Sequence, residues 1–182
     1  MLVSVCYLVL KGLLQTQSDG TTKLMDFLDE QRMHRLYEKF ILEYFRKEHP
    51  ELTVGAPQIP WQLDDDFSDM LPVMKSYIVL EKDDTILIID AKYYAHTTQQ
   101  RFNKATVHSA NLYQIFTYVK NKQEELKDRQ VTVSGMLLYA KTDEQIVPDN
   151  TYQMSGNQIS VKTLDLNCGF DEIREQLDKL MI

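Results

Sequence analysis

The chain contains few of the residues that form metal clusters, disulfide frameworks or phosphate-binding loops. Its 182 residues include two cysteines, Cys6 and Cys168, and four histidines, none at a spacing typical of a metal site. The cysteines lie far apart in sequence, which predicts no disulfide framework and is typical of a reducing cytoplasm. No glycine-rich loop of the Walker type is present, so any nucleotide hydrolysis must come from a partner.

The chain also lacks the features of disordered, repetitive or membrane-spanning proteins. Six glycines, five prolines and a hydrophobic share of 43% argue against disorder and low complexity. The apolar segment at residues 1–10 is too short to cross a bilayer, and it has neither the basic start nor the cleavage site of a signal peptide. We therefore expect a single cytoplasmic domain over residues 1–182, with no membrane partner.

The most informative segment is an apolar, β-branched run that ends in an aspartate and a lysine. Residues 85–92 read Thr-Ile-Leu-Ile-Ile-Asp-Ala-Lys, which predicts a strand buried on both faces. Asp90 and Lys92 project together from its end, because alternate side chains of a strand point the same way. A carboxylate is a preferred ligand of Mg²⁺, and an ammonium beside it can stabilise phosphate charge. The pair is typical of half of a metal-dependent phosphodiesterase site, the alternative being an Asp that ends the strand.

The elements around this strand give it a context. The predicted order is a helix over about 27–48, a hairpin of strands 74–81 and 85–92 with a turn at 82–84, and a helix over 108–122. The first helix carries Glu38, and the second carries Gln114 and Tyr118 four residues apart on one face. Their alternative roles are an exposed helix position for Glu38 and packing at the core edge for the other two.

The rest of the chain continues the alternation of strands and helices. The pattern predicts an apolar segment at 2–15, extended pieces near 58–61, a polar connection at 95–105, strands at 131–139 and 158–166 around a loop at 141–150, and an amphipathic helix over 170–180. Interleaved strands and helices predict an α/β sandwich around a mixed central sheet. We divide the domain into an N-terminal helical lead-in (1–26), a motif-bearing core (27–122), and C-terminal strands and helix (123–182).

Taken together, these motifs resemble the nuclease domain of the McrC family, the cleavage subunits of McrBC modification-dependent restriction systems. The matching segments are Asp26-Phe-Leu-Asp29, Leu36-Tyr-Glu38-Lys-Phe40, Leu71-Pro-Val-Met-Lys-Ser-Tyr-Ile78, Ile88-Ile-Asp-Ala-Lys-Tyr-Tyr94, and Asn111-Leu-Tyr-Gln114 with Tyr118. The resemblance implies a restriction-endonuclease-like fold of the PD-(D/E)xK superfamily. It also implies Mg²⁺-dependent endonuclease activity on DNA and an McrB-like AAA+ GTPase partner.

The resemblance also implies roles for individual residues. Asp90, Glu38 and the backbone carbonyl of Ala91 are expected to hold Mg²⁺, for which Mn²⁺ can substitute. Lys92 is expected to orient the attacking water or to stabilise the transition state. Gln114 and Tyr118 are expected to brace the site or to contact DNA.

One position departs from the McrC pattern. The family has its first acidic metal ligand directly before Ile78, where this chain has Tyr77. A phenol with a pKa of about 10 is a poor Mg²⁺ ligand beside a carboxylate. Three explanations stay open: a degenerate nuclease, an inactivating substitution, or a replacement carboxylate supplied by Glu38, Asp69 or Glu81. We expect an impaired site on a nuclease fold.

The distribution of charge bears on DNA binding more than the net charge of −7 does. Residues 91–123 include no acidic side chain, and this window starts at the predicted active site. A locally positive surface there would allow DNA to approach the metal, while the alternative is an ordinary solvated face. The cations proposed to contact DNA are Arg101, Lys104 and Lys120.

Two other classes of function compete with the nuclease. One is a catalytically inactive module that binds DNA or docks on an AAA+ GTPase, and the other is a repair or Holliday-junction nuclease that shares only the fold. Substitution of Asp90 separates the first of these from an enzyme, since it abolishes catalysis in an enzyme and leaves binding largely intact in a module.

Overall fold

The computed structural model describes residues 23–65, 67–76, 78–94, 98–101, 104–141 and 147–181, with side chains over 31–65, 67–76, 78–94, 106–141 and 147–181. The described residues form three helices and ten strands. In chain order these are α1 (Lys23–Glu48), β1 (Thr53–Gly55), β2 (Gln58–Ile59), β3 (Met74–Lys75), β4 (Ile78–Lys82), β5 (Thr85–Lys92), β6 (Thr98–Arg101), β7 (Lys104–Val107), α2 (Ser109–Glu125), β8 (Thr132–Ala140), β9 (Asn150–Met154), β10 (Asn157–Leu164) and α3 (Phe170–Asp178).

Six strands form a mixed central sheet in the order β1-β4-β5-β8-β10-β9. The three central strands β5, β8 and β10 run parallel, and the outer pairs β1–β4, β4–β5 and β9–β10 are antiparallel. β2–β3 and β6–β7 are separate two-stranded sheets. Helices pack on both faces of the central sheet, which confirms the predicted mixed α/β architecture.

The alternation of side chains along β5 divides the core into two halves. The odd-numbered residues from Leu87 to Ala91 pack with α1 and α3, whereas Ile86 and Ile88 pack with α2. This double burial explains why the strand is apolar at consecutive positions. Asp90 and Lys92 continue the even-numbered set and therefore point to the α2 side of the sheet.

The predicted helices and main strands are confirmed, with shifted ends. The first helix begins at Lys23, α2 extends to Glu125, and α3 ends at Asp178. β8 and β10 occupy the segments predicted as strands, and β4 and β5 form the predicted hairpin, with Asp83 in the left-handed region at φ 51°. The apolar segment at 2–15 and Cys6 lie outside the described residues.

Three predictions of local structure were wrong. The connection at 95–105 contains β6 and β7, which pair with each other and have no apolar alternation to signal a strand. The strand β9 was missed because most of its side chains are exposed at the edge of the sheet. The segment predicted as one strand over 74–81 is divided between β3 and β4, because Ser76 leaves the main sheet and donates from both its N and its Oγ to the carbonyl of Pro57.

Candidate active site

Asp90 and Lys92 meet at the carboxyl end of β5, below the protein surface. Their exposed fractions are 2% and 6%, and Lys92 Nζ lies 2.9 Å from Asp90 Oδ1. The strand is fixed on both sides, by β4 and by β8, where Asp90 lies opposite Leu137. The predicted pair is therefore held in place by the backbone of the central sheet.

The carboxylate of Asp90 is deeply buried beside Lys92. Both of its oxygens are shielded from solvent, and Lys92 Nζ is close enough to form an ion pair. Burial raises the pKa of Asp90; the charge of Lys92 opposes this rise, and the charge of Glu38 adds to it. An ionised carboxylate that is buried in this way carries a large desolvation cost unless a cation compensates its charge.

Lys92 connects the aspartate to α2. Burial acts to lower the pKa of Lys92, but the neighbouring carboxylate of Asp90 outweighs it, so the pKa is raised and the ammonium stays charged. Lys92 Nζ donates to Gln114 Oε1 at 3.3 Å, and Gln114 Nε2 donates to Tyr118 OH at 2.9 Å. The structure thus brings four of the predicted residues into one connected chain of contacts.

Glu38 reaches the same region from α1. Its side chain is buried, and His34 Nε2 lies 3.0 Å from Glu38 Oε1, which accepts no aligned hydrogen bond. The negative charge of Glu38 acts on the pKa of both Asp90 and Lys92. Glu38 is therefore an electrostatic neighbour of the pair.

The other two carboxylates considered as replacements are placed differently. Glu81 lies opposite Ile86, at the far end of the hairpin from Asp90, and its carboxylate is 3.7 Å from Arg129. Asp69 is exposed in the loop before β3. Tyr77, at the position of the missing acid, lies outside the described residues. Among the three candidates, Glu38 is the one that acts electrostatically on Asp90.

The donors at the site fit a hard divalent cation in chemical type. Carboxylate oxygens of Asp90 and Glu38, with the carbonyl of Ala91, form an oxygen-only set of the kind that Mg²⁺ or Mn²⁺ prefers. Three of these carboxylate oxygens, both of Asp90 and Oε1 of Glu38, are shielded from solvent. Within the described residues, however, no group of three His, Cys, Asp or Glu side chains is arranged to hold a metal ion. These donors are therefore of the chemical type that Mg²⁺ binds, but the described residues supply few of them.

The predicted DNA-binding cations divide into two groups. Arg101 and Lys104 lie opposite each other in the β6–β7 hairpin, and the side chains of both lie outside the described ones. Lys120 Nζ donates to the carbonyl of Ser155 at 3.0 Å and to Asn157 Oδ1 at 3.1 Å, and so supports the β9–β10 turn. Any DNA contact by Lys120 would have to compete with these bonds.

Comparison with known proteins decides the family. The model of the family described as McrBC 5-methylcytosine restriction system component matches residues 1–140. The chain belongs to this McrBC component family. It is also 28% identical, over 179 residues, to the type IV methyl-directed restriction enzyme EcoKMcrBC of Escherichia coli (strain K12), an alignment that covers 96% of this chain and 50% of that protein. This chain thus spans about half the length of this curated relative.

Sequence reasoning missed a network of polar side chains beside the candidate active site. Tyr94 OH donates to Asn111 Oδ1 at 3.3 Å, and Asn111 Nδ2 donates to Tyr139 OH at 2.9 Å. Burial raises the pKa of Tyr139 to about 12, so its hydroxyl stays protonated. The available signal was Asn111, a polar residue one turn before Gln114 on a helix that packs against the sheet.

His34 was also missed, because the four histidines show no spacing typical of a metal site. The signal for it was its position one helical turn before Glu38.

In the described part of the chain, no helix has the length and apolar character needed to cross a membrane.

Proposed function

We propose that this chain is the Mg²⁺-dependent endodeoxyribonuclease domain of an McrBC-type restriction system, with activity reduced by Tyr77. In this proposal residues 1–182 form one domain with a restriction-endonuclease-like fold of the PD-(D/E)xK superfamily. The observation that carries the proposal is the buried carboxylate of Asp90, which lies 2.9 Å from the ammonium of Lys92. Membership of the McrBC component family supports it.

Each site residue has a defined task in the proposed hydrolysis. Asp90, Glu38 and the Ala91 carbonyl would hold the cation, for which Mn²⁺ can substitute. When bound, the cation lowers the pKa of a coordinated water and neutralises phosphate charge. Lys92 would orient that water or stabilise the charge that develops on the phosphate. Gln114 keeps the ammonium in place through its 3.3 Å contact, and Tyr118 fixes the amide of Gln114.

The proposed substrate is DNA, and the proposed partner is an McrB-like AAA+ GTPase. The relative from Escherichia coli is named a methyl-directed restriction enzyme, and this chain contains no acidic residue between positions 91 and 123. DNA would approach Asp90 along that window, with Arg101 and Lys104 contacting phosphates. Because the chain has no Walker-type loop, any nucleotide hydrolysis in the system would be carried out by that partner.

A second candidate is a catalytically inactive module that binds DNA or docks on the GTPase. Two observations favour it: Tyr77 stands where the McrC pattern has an acid, and no described group of three His, Cys, Asp or Glu side chains is arranged to hold a metal. Such a module would retain the fold and the positive window but would not hydrolyse DNA.

Cleavage of plasmid DNA with Mg²⁺ or Mn²⁺ separates these candidates. The parent chain is compared with Tyr77→Asp, which restores the acid, and with Asp90→Ala, which removes the central ligand. Cleavage by Tyr77→Asp that exceeds that of the parent and disappears when Asp90→Ala is added supports the nuclease. If Tyr77→Asp binds DNA as the parent does but fails to cut, with or without the GTPase partner, the inactive module is the better account.

A further inference from the structure

The imidazole of His34 contacts both elements that supply the proposed metal ligands. On α1, His34 Nε2 lies 3.0 Å from Glu38 Oε1. At the end of β5, the backbone N–H of Tyr93 donates to His34 Nδ1 at 3.3 Å. The ring also stacks on Tyr94, with 6.3 Å between ring centroids and an interplanar angle of 10°.

We propose that His34 is a positioning residue for the metal site, which holds the Glu38 carboxylate in place relative to Asp90. This inference rests on the proposed function, because it assumes that both carboxylates bind the cation. It adds a role for a residue that contacts neither the metal nor DNA in the proposed mechanism.

A link of this kind is needed because the two carboxylates belong to different elements. Glu38 lies on a helix and Asp90 on a strand, so their separation depends on how α1 docks on the end of β5. Tyr93 directly follows Lys92, and its N–H therefore fixes the imidazole to the backbone that carries the Asp-x-Lys pair. The other ring nitrogen, Nε2, contacts Glu38. The His34 side chain therefore links the Glu38 carboxylate to the end of the strand that carries Asp90.

Glu38 itself supports this role. Its Oε1 is buried and accepts no aligned hydrogen bond, and its charge acts on the neighbouring Asp90. A carboxylate in that position has few contacts to fix its orientation, and the imidazole lies 3.0 Å from it. Residues that orient metal ligands in this way typically contribute about 10–100-fold to metal affinity.

Two substitutions separate the polar contacts of His34 from its packing. His34→Phe retains a flat ring for stacking on Tyr94 but removes both ring nitrogens. His34→Gln removes the ring and retains an amide that can reach Glu38 from the position of Nε2. Gln31→Ala, an exposed neutral position on the same helix, is the matched control.

The measurement is Mn²⁺ affinity of the full chain, followed by electron paramagnetic resonance, with thermal unfolding recorded for every variant. We expect His34→Phe to raise the dissociation constant about 10–100-fold, His34→Gln to recover most of that loss, and Gln31→Ala to match the parent. Mn²⁺ affinity can be measured whether or not the chain cleaves DNA.

Other outcomes distinguish the failure of this inference from the failure of the proposed function. If His34→Phe binds Mn²⁺ as tightly as the parent, the positioning role is overturned. An equal loss of affinity in His34→Phe and His34→Gln would also overturn it, because the effect would then come from loss of the imidazole ring rather than from the polar contact with Glu38. If the parent binds no Mn²⁺, or if Asp90→Ala binds as tightly as the parent, the metal site itself is wrong and both proposals fall.

Discussion

At the scale of single residues, the proposed site depends on how a charged pair is accommodated inside the protein. The side chains of Asp90 and Lys92 are 2% and 7% exposed, so each charge depends on the other for compensation. Removing one partner of a buried ion pair leaves the other uncompensated, which is far more costly than losing a surface contact.

Substitution of Lys92 by Met should therefore destabilise the metal-free fold. Met keeps much of the aliphatic stem, so the main change is the loss of charge beside Asp90, and we expect a decrease of about 3–5 kcal/mol in the free energy of unfolding. Urea denaturation at neutral pH measures it. The double variant Lys92→Met/Asp90→Asn is the control and should recover part of the loss; a single variant as stable as the parent would contradict the burial described here.

Gly135 on β8 is a second residue whose identity is dictated by its surroundings. A Cβ at this position would lie 2.7 Å from Val119 Cγ2 and 2.8 Å from Ile115 Cγ1, both buried side chains of α2. The glycine therefore lets α2, which carries Gln114, pack closely against the sheet.

We expect Gly135→Ala to lower the free energy of unfolding by about 1–3 kcal/mol, because the added methyl group overpacks the contact. Gly55→Ala is the matched control, since a Cβ at that position would meet nothing closer than Pro57 Cδ at 3.7 Å, an ordinary van der Waals contact. Chemical denaturation of both variants tests this. Equal stability of the two would show that α2 packs less closely than the structure indicates.

At the scale of elements, Asp165 directly follows β10 and is bonded to α3 through its backbone, while its carboxylate binds Lys141 and the backbone of Asn167. Asp165 Oδ2 accepts from Lys141 Nζ at 2.6 Å, Asp165 Oδ1 accepts from the N–H of Asn167 at 2.8 Å, and Gln176 Oε1 on α3 accepts from the N–H of Asp165. The bond from Lys141 is the main cause of the lowered pKa of Asp165.

This lowered pKa predicts a specific response to acid. Because the folded-state pKa is below the unfolded value of about 4, Asp165 stabilises the fold above that value, and the contribution is lost as pH falls through the folded-state pKa. We expect Asp165→Asn to be less stable than the parent at pH 7 by at most about 1 kcal/mol, since the pair is partly exposed. Thermal unfolding from pH 7 to pH 2.5 should show the difference shrink; a constant difference would contradict this origin.

The elements also show what the sequence could and could not predict. Burial of β5 on both faces followed from its apolar run, and helical spacing placed Gln114 and Tyr118 on one face of α2. The site roles of Glu38, Gln114 and Tyr118 came from the resemblance to the McrC family. The β6–β7 hairpin and β9 could not be predicted in this way, because their sequences show no alternation of apolar and polar residues. Their pairing depends on backbone hydrogen bonds instead. His34 escaped notice because its role depends on contact with Tyr93, which is 59 residues away in sequence.

At the scale of the whole molecule, an acidic protein with net charge −7 would have to bind DNA through a local surface. In the acid-free window, Lys120 and Lys122 already have partners, namely the β9–β10 turn and Glu125. The proposed DNA contact therefore relies on Arg101 and Lys104 of the hairpin.

Replacement of Arg101 and Lys104 by Ala should weaken DNA binding at low salt and reduce its salt dependence. Each phosphate contact contributes about −0.9 to the slope of log affinity against log salt on duplex DNA, so we expect the slope to fall in magnitude by up to about 2. Fluorescence anisotropy over a range of salt concentrations measures the slope. Lys122→Ala is the control, and an equal effect there would indicate a diffuse charge effect rather than contacts by the hairpin.

The central claim is that Asp90 and Glu38 together hold a divalent cation, and anomalous diffraction from crystals grown with Mn²⁺ tests it most directly. We predict one strong anomalous peak within about 2–2.6 Å of carboxylate oxygens of both residues, and its absence from crystals of Asp90→Ala. A saturating Mn²⁺ concentration that gives no peak at Asp90, or a peak that persists in Asp90→Ala, would contradict the claim.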